Sequence, residues 1–277
     1  MTPDSFTGRV GFIGCGAMAR ALAGGLVASG VSADRICGSD PDANQRDAFH
    51  EAVGGPVSGV NTAAVESSDV VVLAVKPGLV RPVLEELAGT GSLERPLWIS
   101  LAAGVRIASI EAALPDGARI VRSMPNTPAL VRHGATAICG NSATRPADIE
   151  TANTLFAAVG ITWQAPDESA LDAVTALSGS GPAYVFLFLE ALEDAGVALG
   201  LPREAAAKLA LQTVSGAAQL AQEREVPPAE LRQQVTSPGG TTQAGLESFE
   251  ADDFRATVRR AMEAAARRSV ELSREDG

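Results

Sequence analysis

The chain has 277 residues, 46% of them hydrophobic and 20% charged. That is enough for about two domains and too apolar for a disordered chain. Its formal net charge of −11 argues against nucleic acid and anionic membrane surfaces as partners, because both need a cationic footprint.

Residues 9–13 read as a strand, followed by a Gly turn and a helix over 17–29. Residues 35–38 read as a second strand, with a helix near 43–52 behind it. Residues 56–58 make a weak third strand. Residues 70–75 are all apolar, as expected of a central parallel strand covered on both faces. Further strands are expected over 97–101, 120–123 and 135–139. Strands alternating with helices imply a parallel, doubly wound sheet with right-handed crossovers.

The pattern changes near Trp163. From 168 to 274 no strand signal appears, and 180–199, 202–224 and 252–273 read as long helices. Pro182 and Pro202 sit at helix starts, where a missing N–H costs little. Residues 183–192 are apolar almost all the way round, so that helix must be buried on every side. In so small a helical domain a second subunit is the natural cover. The longest apolar runs, 70–75 and 183–189, fall short of a membrane span. The N-terminus has no signal-peptide pattern. Cys15, Cys37 and Cys139 are widely spaced and odd in number, which argues against a disulfide framework or a metal site. A soluble cytoplasmic protein is expected.

Gly14, Gly16 and Ala19 form G-x-G-x-x-A directly after the first strand. The first Gly makes the turn, the second admits a pyrophosphate to the backbone, and Ala19 lets the helix pack close. In this context the pattern predicts dinucleotide binding. The second strand should end at the residue that reads the adenosine ribose, here Ser39 or Asp40. Asp40 either accepts from a ribose 2′-OH, pointing to NAD, or caps the next helix. Ser39 and Arg46 are the alternative partners, for a 2′-phosphate. Ala74, Val75, Lys76 and Pro77 follow the central strand, at the edge that faces the ligand crevice. Lys76 is either a phosphate or ribose contact or a solvated residue. Asn61 either contacts the adenine end or caps its helix. Met124, Pro125, Asn126, Thr127 and Pro128 form a rigid extended loop, either holding the nicotinamide amide or simply connecting.

Two further segments are rich in Gly and hydroxyls: LSGSGPAY at 177–184 and TSPGGTT at 236–242. The latter opens a helix. Its hydroxyls and N–H groups make a site for a small carboxylate without a charged anchor. A ketone reductase needs an acid for its alkoxide. The helix over 180–199 contains no Lys or His, which favours an imine substrate, already activated once protonated. Cys15 is read as a small filler, and His50 and His133 as structural or surface residues.

Together the blocks FIGCGAMA, AVKP at 74–77, MPNTPA at 124–129, LSGSGPAY and VTSPGGTTQAGL at 235–246 resemble the pyrroline-5-carboxylate reductases. The resemblance spans nearly the whole chain. It implies an α/β Rossmann-type dinucleotide-binding domain over 1–165 and an all-helical substrate-binding and dimerisation domain over 166–277. It implies hydride transfer from NADPH or NADH to the C=N bond of 1-pyrroline-5-carboxylate, giving L-proline. An intertwined homodimer is implied, with rings of dimers common. Carried over by motif position, Gly14, Gly16, Ala17, Met18 and Ala19, with Ser39, Asp40, Asn61, Ala74–Pro77, Met124 and Asn126, bind the cofactor. Ser237, Gly240, Thr241 and Thr242 cradle the substrate, with Thr242 catalytic and Glu225 a looser match. Many relatives carry an uncharged or basic residue where Asp40 stands.

Overall fold

The structure is a computed structural model that describes residues 6–89 and 93–275. By internal contacts the chain forms two compact units. One runs to Ser180 and includes the chain from Ala265 onward; the other is Gly181–Ala264.

The first unit contains β1 (Val10–Ile13), α1 (Ala17–Ala28), β2 (Ile36–Ser39), α2 (Ala43–Val53), β3 (Val57–Ser58), α3 (Asn61–Glu66) and β4 (Val70–Leu73). It continues with α4 (Val80–Leu87), β5 (Leu97–Ser100), α5 (Ile107–Glu111), β6 (Arg119–Met124), β7 (Gly134–Gly140), α6 (Pro146–Ala157), β8 (Gly160–Gln164) and α7 (Ala170–Val174). The eight strands form one sheet in the order β3-β2-β1-β4-β5-β6-β7-β8. The strand order reverses between β1 and β4, which is where doubly wound sheets bind ligands.

Alternation along the strands divides the core between the two faces. Val10 and Phe12, Val70 and Val72, and Leu97 and Ile99 pack with Leu26, Phe49 and Phe156. Ile13, Val71, Leu73 and Trp98 pack on the other side with Leu84, Leu87 and Ile110. Every β4 residue is therefore buried, as its unbroken apolar run requires.

The sheet departs from the all-parallel expectation at β7, which pairs antiparallel with β6. Residues 125–133 are too few for a crossover helix, so the chain can only turn back. The turn is a 3-10 segment, Thr127–Val131, closed by Arg132 at φ 61°. β8, not anticipated from the sequence, then pairs parallel with β7 at the sheet edge.

The first unit also runs past the expected 165/166 boundary. Leu171 is fully buried in its core. Arg122 of β6, nearly buried, pairs with Glu168 at 2.7 Å, and the same carboxylate oxygen accepts the Ile107 N–H at 2.8 Å. Residues Thr175–Gly179 form a π-helical turn.

The second unit holds α8 (Gly181–Ala198), α9 (Arg203–Arg224), α10 (Pro228–Gln234), α11 (Thr241–Ala251) and the start of α12 (Phe254–Glu275). A Cβ on Gly196 would lie 3.1 Å from that of Ala206, so α8 and α9 pack closely there. Yet no residue of α8 is buried in the single chain. Phe186 and Leu187 are 59% and 66% exposed. The expected all-round burial of this helix is therefore not supplied by its own chain. Among the described residues no helix is long and apolar enough to cross a membrane.

Candidate active site

β1 ends at Ile13, and the chain turns sharply through Gly14 at φ 93°. Its N–H donates to the Ser39 carbonyl at 2.7 Å. A Cβ here would lie 2.8 Å from the Ala74 carbonyl oxygen, so only Gly fits this turn. Gly16 is the N-cap of α1, and a Cβ on it would meet nothing within 4 Å. No side chain caps this helix, and its first turn holds no acidic residue. The N-terminal N–H groups and the positive end of the helix dipole are thus left to an anion.

The groove beside this turn has a volume of about 830 Å³. Gly14, Gly16, Ala17 and Arg20 line it, with Asp40 and Asp42 from the end of β2, Asn61 from α3, and Ala74, Val75 and Lys76 after β4. All follow the carboxyl ends of β1, β2, β3 and β4. The open Gly16 cradle, the uncapped helix and the groove's size fit the pyrophosphate and ribose of a dinucleotide.

Several residues singled out in the sequence have other places. Ala19 is fully buried beneath the turn, and Met18 packs on the core. Ser39 is fully buried; its hydroxyl lies 2.9 Å from Asn61 Oδ1. Asn61 also donates to Glu86 at 3.2 Å and makes no cap; Val60 is the N-cap of α3. Helix α2 is capped by Asp42, which accepts from Asn44 N, and not by Asp40. Asp40 instead accepts the Cys15 N–H on Oδ2 and the Asp42 N–H on Oδ1, both at 2.9 Å. Met124 packs on the core, and a Cβ on Gly179 would lie 2.5 Å from its Cε. Asn126 is nearly buried: Oδ1 accepts from Ala135 N at 2.8 Å and Nδ2 donates to the Ser178 carbonyl at 3.1 Å. It thereby holds the Pro-rich loop to β7 and to the π-helical turn.

The polar groove residues missed in the sequence are Arg20, Asp42, Gln45 and Glu86. Arg20 lies one helical turn after Gly16, a spacing that faces the same groove and was a readable signal.

Cys15 sits inside the Gly turn and is fully buried. Burial first, and then the Asp40 carboxylate, push its thiol up to about 12. At pH 8 roughly one molecule in ten thousand then carries the reactive thiolate. Native protein treated with iodoacetamide at pH 8 should leave Cys15 unmodified, while unfolded protein should be labelled there. Peptide mass mapping checks this, and labelling of Cys15 in the native protein would refute the filler role.

In the helical unit, Thr236–Thr242 closes a compact turn before α11. Gly240 N donates to the Ser237 carbonyl at 3.0 Å, and Gly239, at φ 69°, donates to Gln243 Oε1 at 2.8 Å. Thr236 turns its hydroxyl inward to the Arg232 carbonyl at 2.6 Å. Gly240 is the N-cap of α11, with no side-chain cap and no acid in the first turn. Ser237, Thr241 and Thr242 are exposed, and their hydroxyls have no hydrogen-bond partner among the described residues. Glu225 stands apart at the end of α9, in the left-handed conformation.

A doubly wound sheet with an uncapped Gly turn at its switch point is the arrangement of a Rossmann-type dinucleotide-binding protein. Comparison with known proteins narrows this class. A family described as pyrroline-5-carboxylate reductase dimerisation matches residues 168–272, and one described as NADP oxidoreductase coenzyme F420-dependent matches residues 9–104. A pyrroline-5-carboxylate reductase of Pseudomonas aeruginosa is 49% identical, over 98% of this chain and 99% of its own. A solved pyrroline-5-carboxylate reductase from Coxiella burnetii is 42% identical, with a TM-score of 0.92 over 96% of this chain and 99% of its own. One from Plasmodium falciparum, with NADP bound, is 34% identical, with a TM-score of 0.85 over 96% and 98%. The chain belongs to the pyrroline-5-carboxylate reductase family.

Proposed function

We infer that the Gly14–Gly16 groove holds the dinucleotide and that the Ser237–Thr242 turn holds the substrate. The chain is an NAD(P)H-dependent oxidoreductase that reduces the C=N bond of 1-pyrroline-5-carboxylate to L-proline, the last step of proline biosynthesis. When bound, NADPH or NADH supplies the hydride. The N–H groups at the start of α1 bind its pyrophosphate. Lys76, whose amino group has no partner among the described residues, adds a positive charge at the β4 end of the groove. Asn61, Ala74, Val75 and Pro77 complete the contacts, while Ser39, Met124 and Asn126 position the walls.

The observation that carries the substrate reading is the uncapped start of α11 with its unpartnered hydroxyls. The Thr241 N–H and the Ser237 hydroxyl hold the carboxylate beside Gly240, whose own N–H is taken by the Ser237 carbonyl. The Thr242 hydroxyl hydrogen-bonds the ring nitrogen and fixes the imine carbon for attack. An iminium needs this orientation more than a strong acid. Glu225 is the weakest member of the set.

The first unit serves the dinucleotide, and the helices of Gly181–Ala264 serve the substrate and a homodimer, intertwined through its helices; rings of dimers are the larger form the family suggests. The three free thiols support a reducing, cytoplasmic setting.

The test is the reverse reaction. Purified protein should reduce NAD⁺ or NADP⁺ when L-proline is added at alkaline pH, and should oxidise the reduced cofactor with the imine. No proline-dependent reduction at alkaline pH, together with no oxidation by the imine, would reject this function.

A further inference from the structure

We propose that the groove is built for the non-phosphorylated dinucleotide, NADH, and that Asp40 sets this preference. The inference rests on the reading of the groove as the NAD(P)H site.

Asp40 follows β2 directly and lines the groove beside Gly14 and Gly16. Its carboxylate is held in one orientation by two backbone donors, Cys15 N on Oδ2 and Asp42 N on Oδ1, each at 2.9 Å. Each oxygen keeps a further acceptor site. The group therefore offers acceptors and a negative charge to whatever enters. A ribose hydroxyl, which donates, matches that. A ribose phosphate, which carries nearly two negative charges at neutral pH, is repelled by it.

The surroundings reinforce the sign. Asp42 lines the same part of the groove and adds a second carboxylate. One amino group of each nearby guanidinium is engaged by the protein itself. Arg20 Nη1 donates to the Cys15 carbonyl at 2.8 Å and to Gln45 Oε1 at 2.7 Å. Arg46 Nη1 donates to the carbonyls of Asp40 and Pro41, at 2.8 and 2.9 Å. Ser39, the neutral residue that precedes Asp40, is fully buried and faces Asn61. Lys76 follows β4, which lies across β1 from β2, so it belongs to the opposite side of the switch point. The preference runs against the NADP named for the matched profile over residues 9–104 and for the P. falciparum relative.

Calorimetric titration of the substrate-free protein with NADH and with NADPH reads the preference directly. Wild type should bind NADH at least about tenfold more tightly, the scale of one well-placed polar contact. Asp40→Ser should narrow or invert that ratio. Because Ser leaves the Cys15 N–H without its partner and can loosen the turn, Asp40→Asn serves as the second variant. It keeps the shape and one acceptor, removes the charge, and should shift the ratio toward NADPH by about tenfold. Wild type binding NADPH as tightly as NADH would overturn the proposal, as would a ratio unchanged in both variants. Absent imine turnover with either dinucleotide would count against the proposed reaction instead, because the binding ratio is measured without substrate.

Discussion

Replacing Thr242 by Val is expected to lower kcat/KM for imine reduction roughly 5- to 150-fold while leaving dinucleotide affinity unchanged. The range follows from the loss of one hydrogen bond, on the order of 1–3 kcal/mol, expressed in the transition state. The substitution keeps the β-branched shape and removes the hydroxyl. That hydroxyl has no internal partner among the described residues, and the N-cap position of α11 belongs to Gly240. Removing it therefore breaks no bond within the fold, and the change in stability should stay within a few tenths of a kcal/mol. Steady-state kinetics with the imine, and calorimetry with the dinucleotide, separate the two effects. An unchanged rate, or an equal loss of dinucleotide binding, would show that the substrate has been misplaced.

The protein should also unfold as a dimer rather than as a monomer. Val185, Phe186, Leu187 and Phe188 follow one another along α8 and are 39–66% exposed in the single chain. Consecutive residues point around the helix, so no one face of this stretch is polar. Water is a poor solvent for all four, and a second copy must remove them from it. If folding and association are one step, tenfold dilution lowers stability by about 1.4 kcal/mol. Denaturation followed at widely separated protein concentrations should therefore show a midpoint that falls with dilution, by about 1 °C per tenfold, because the unfolding entropy is that of two chains. A midpoint independent of concentration, with a folded monomer sedimenting at low micromolar protein, would remove the argument.

Most of the sheet was legible where burial is two-sided. The unbroken β4 run and the Gly turn after β1 can hardly be read otherwise. β7 was found as a strand but given the wrong direction, because apolar alternation carries no polarity; only the short connection over residues 125–133 does. β8 was missed for another reason. As an edge strand it pairs on one side only, and Ile161 and Trp163 point outward, so burial imposes little pattern on it.

The site shows the same division. Gly14 and Gly16 declare themselves by what a Cβ would strike or leave open. Asp40 and Ser39 are adjacent in sequence, yet alternation sends one side chain into the groove and buries the other. Which of the two is which depends on where β2 ends, and element ends are the least readable part of a sequence. One of the two backbone bonds to Asp40 comes from Cys15, 25 residues away, and no local pattern encodes it.

The chain's two tryptophans both lie in the first unit, Trp98 fully buried in β5 and Trp163 half exposed on β8. Its single tyrosine, Tyr184, lies in α8 of the other unit. The two units thus carry separate native chromophores. Indole emission follows melting of the sheet alone, with the Trp163 part open to quenching by iodide and the Trp98 part shielded. Phenol absorbance, resolved from the stronger overlapping indole bands in the second-derivative spectrum, follows the helical unit. One unlabelled sample therefore reports, at two wavelengths, whether the sheet and the helices let go together.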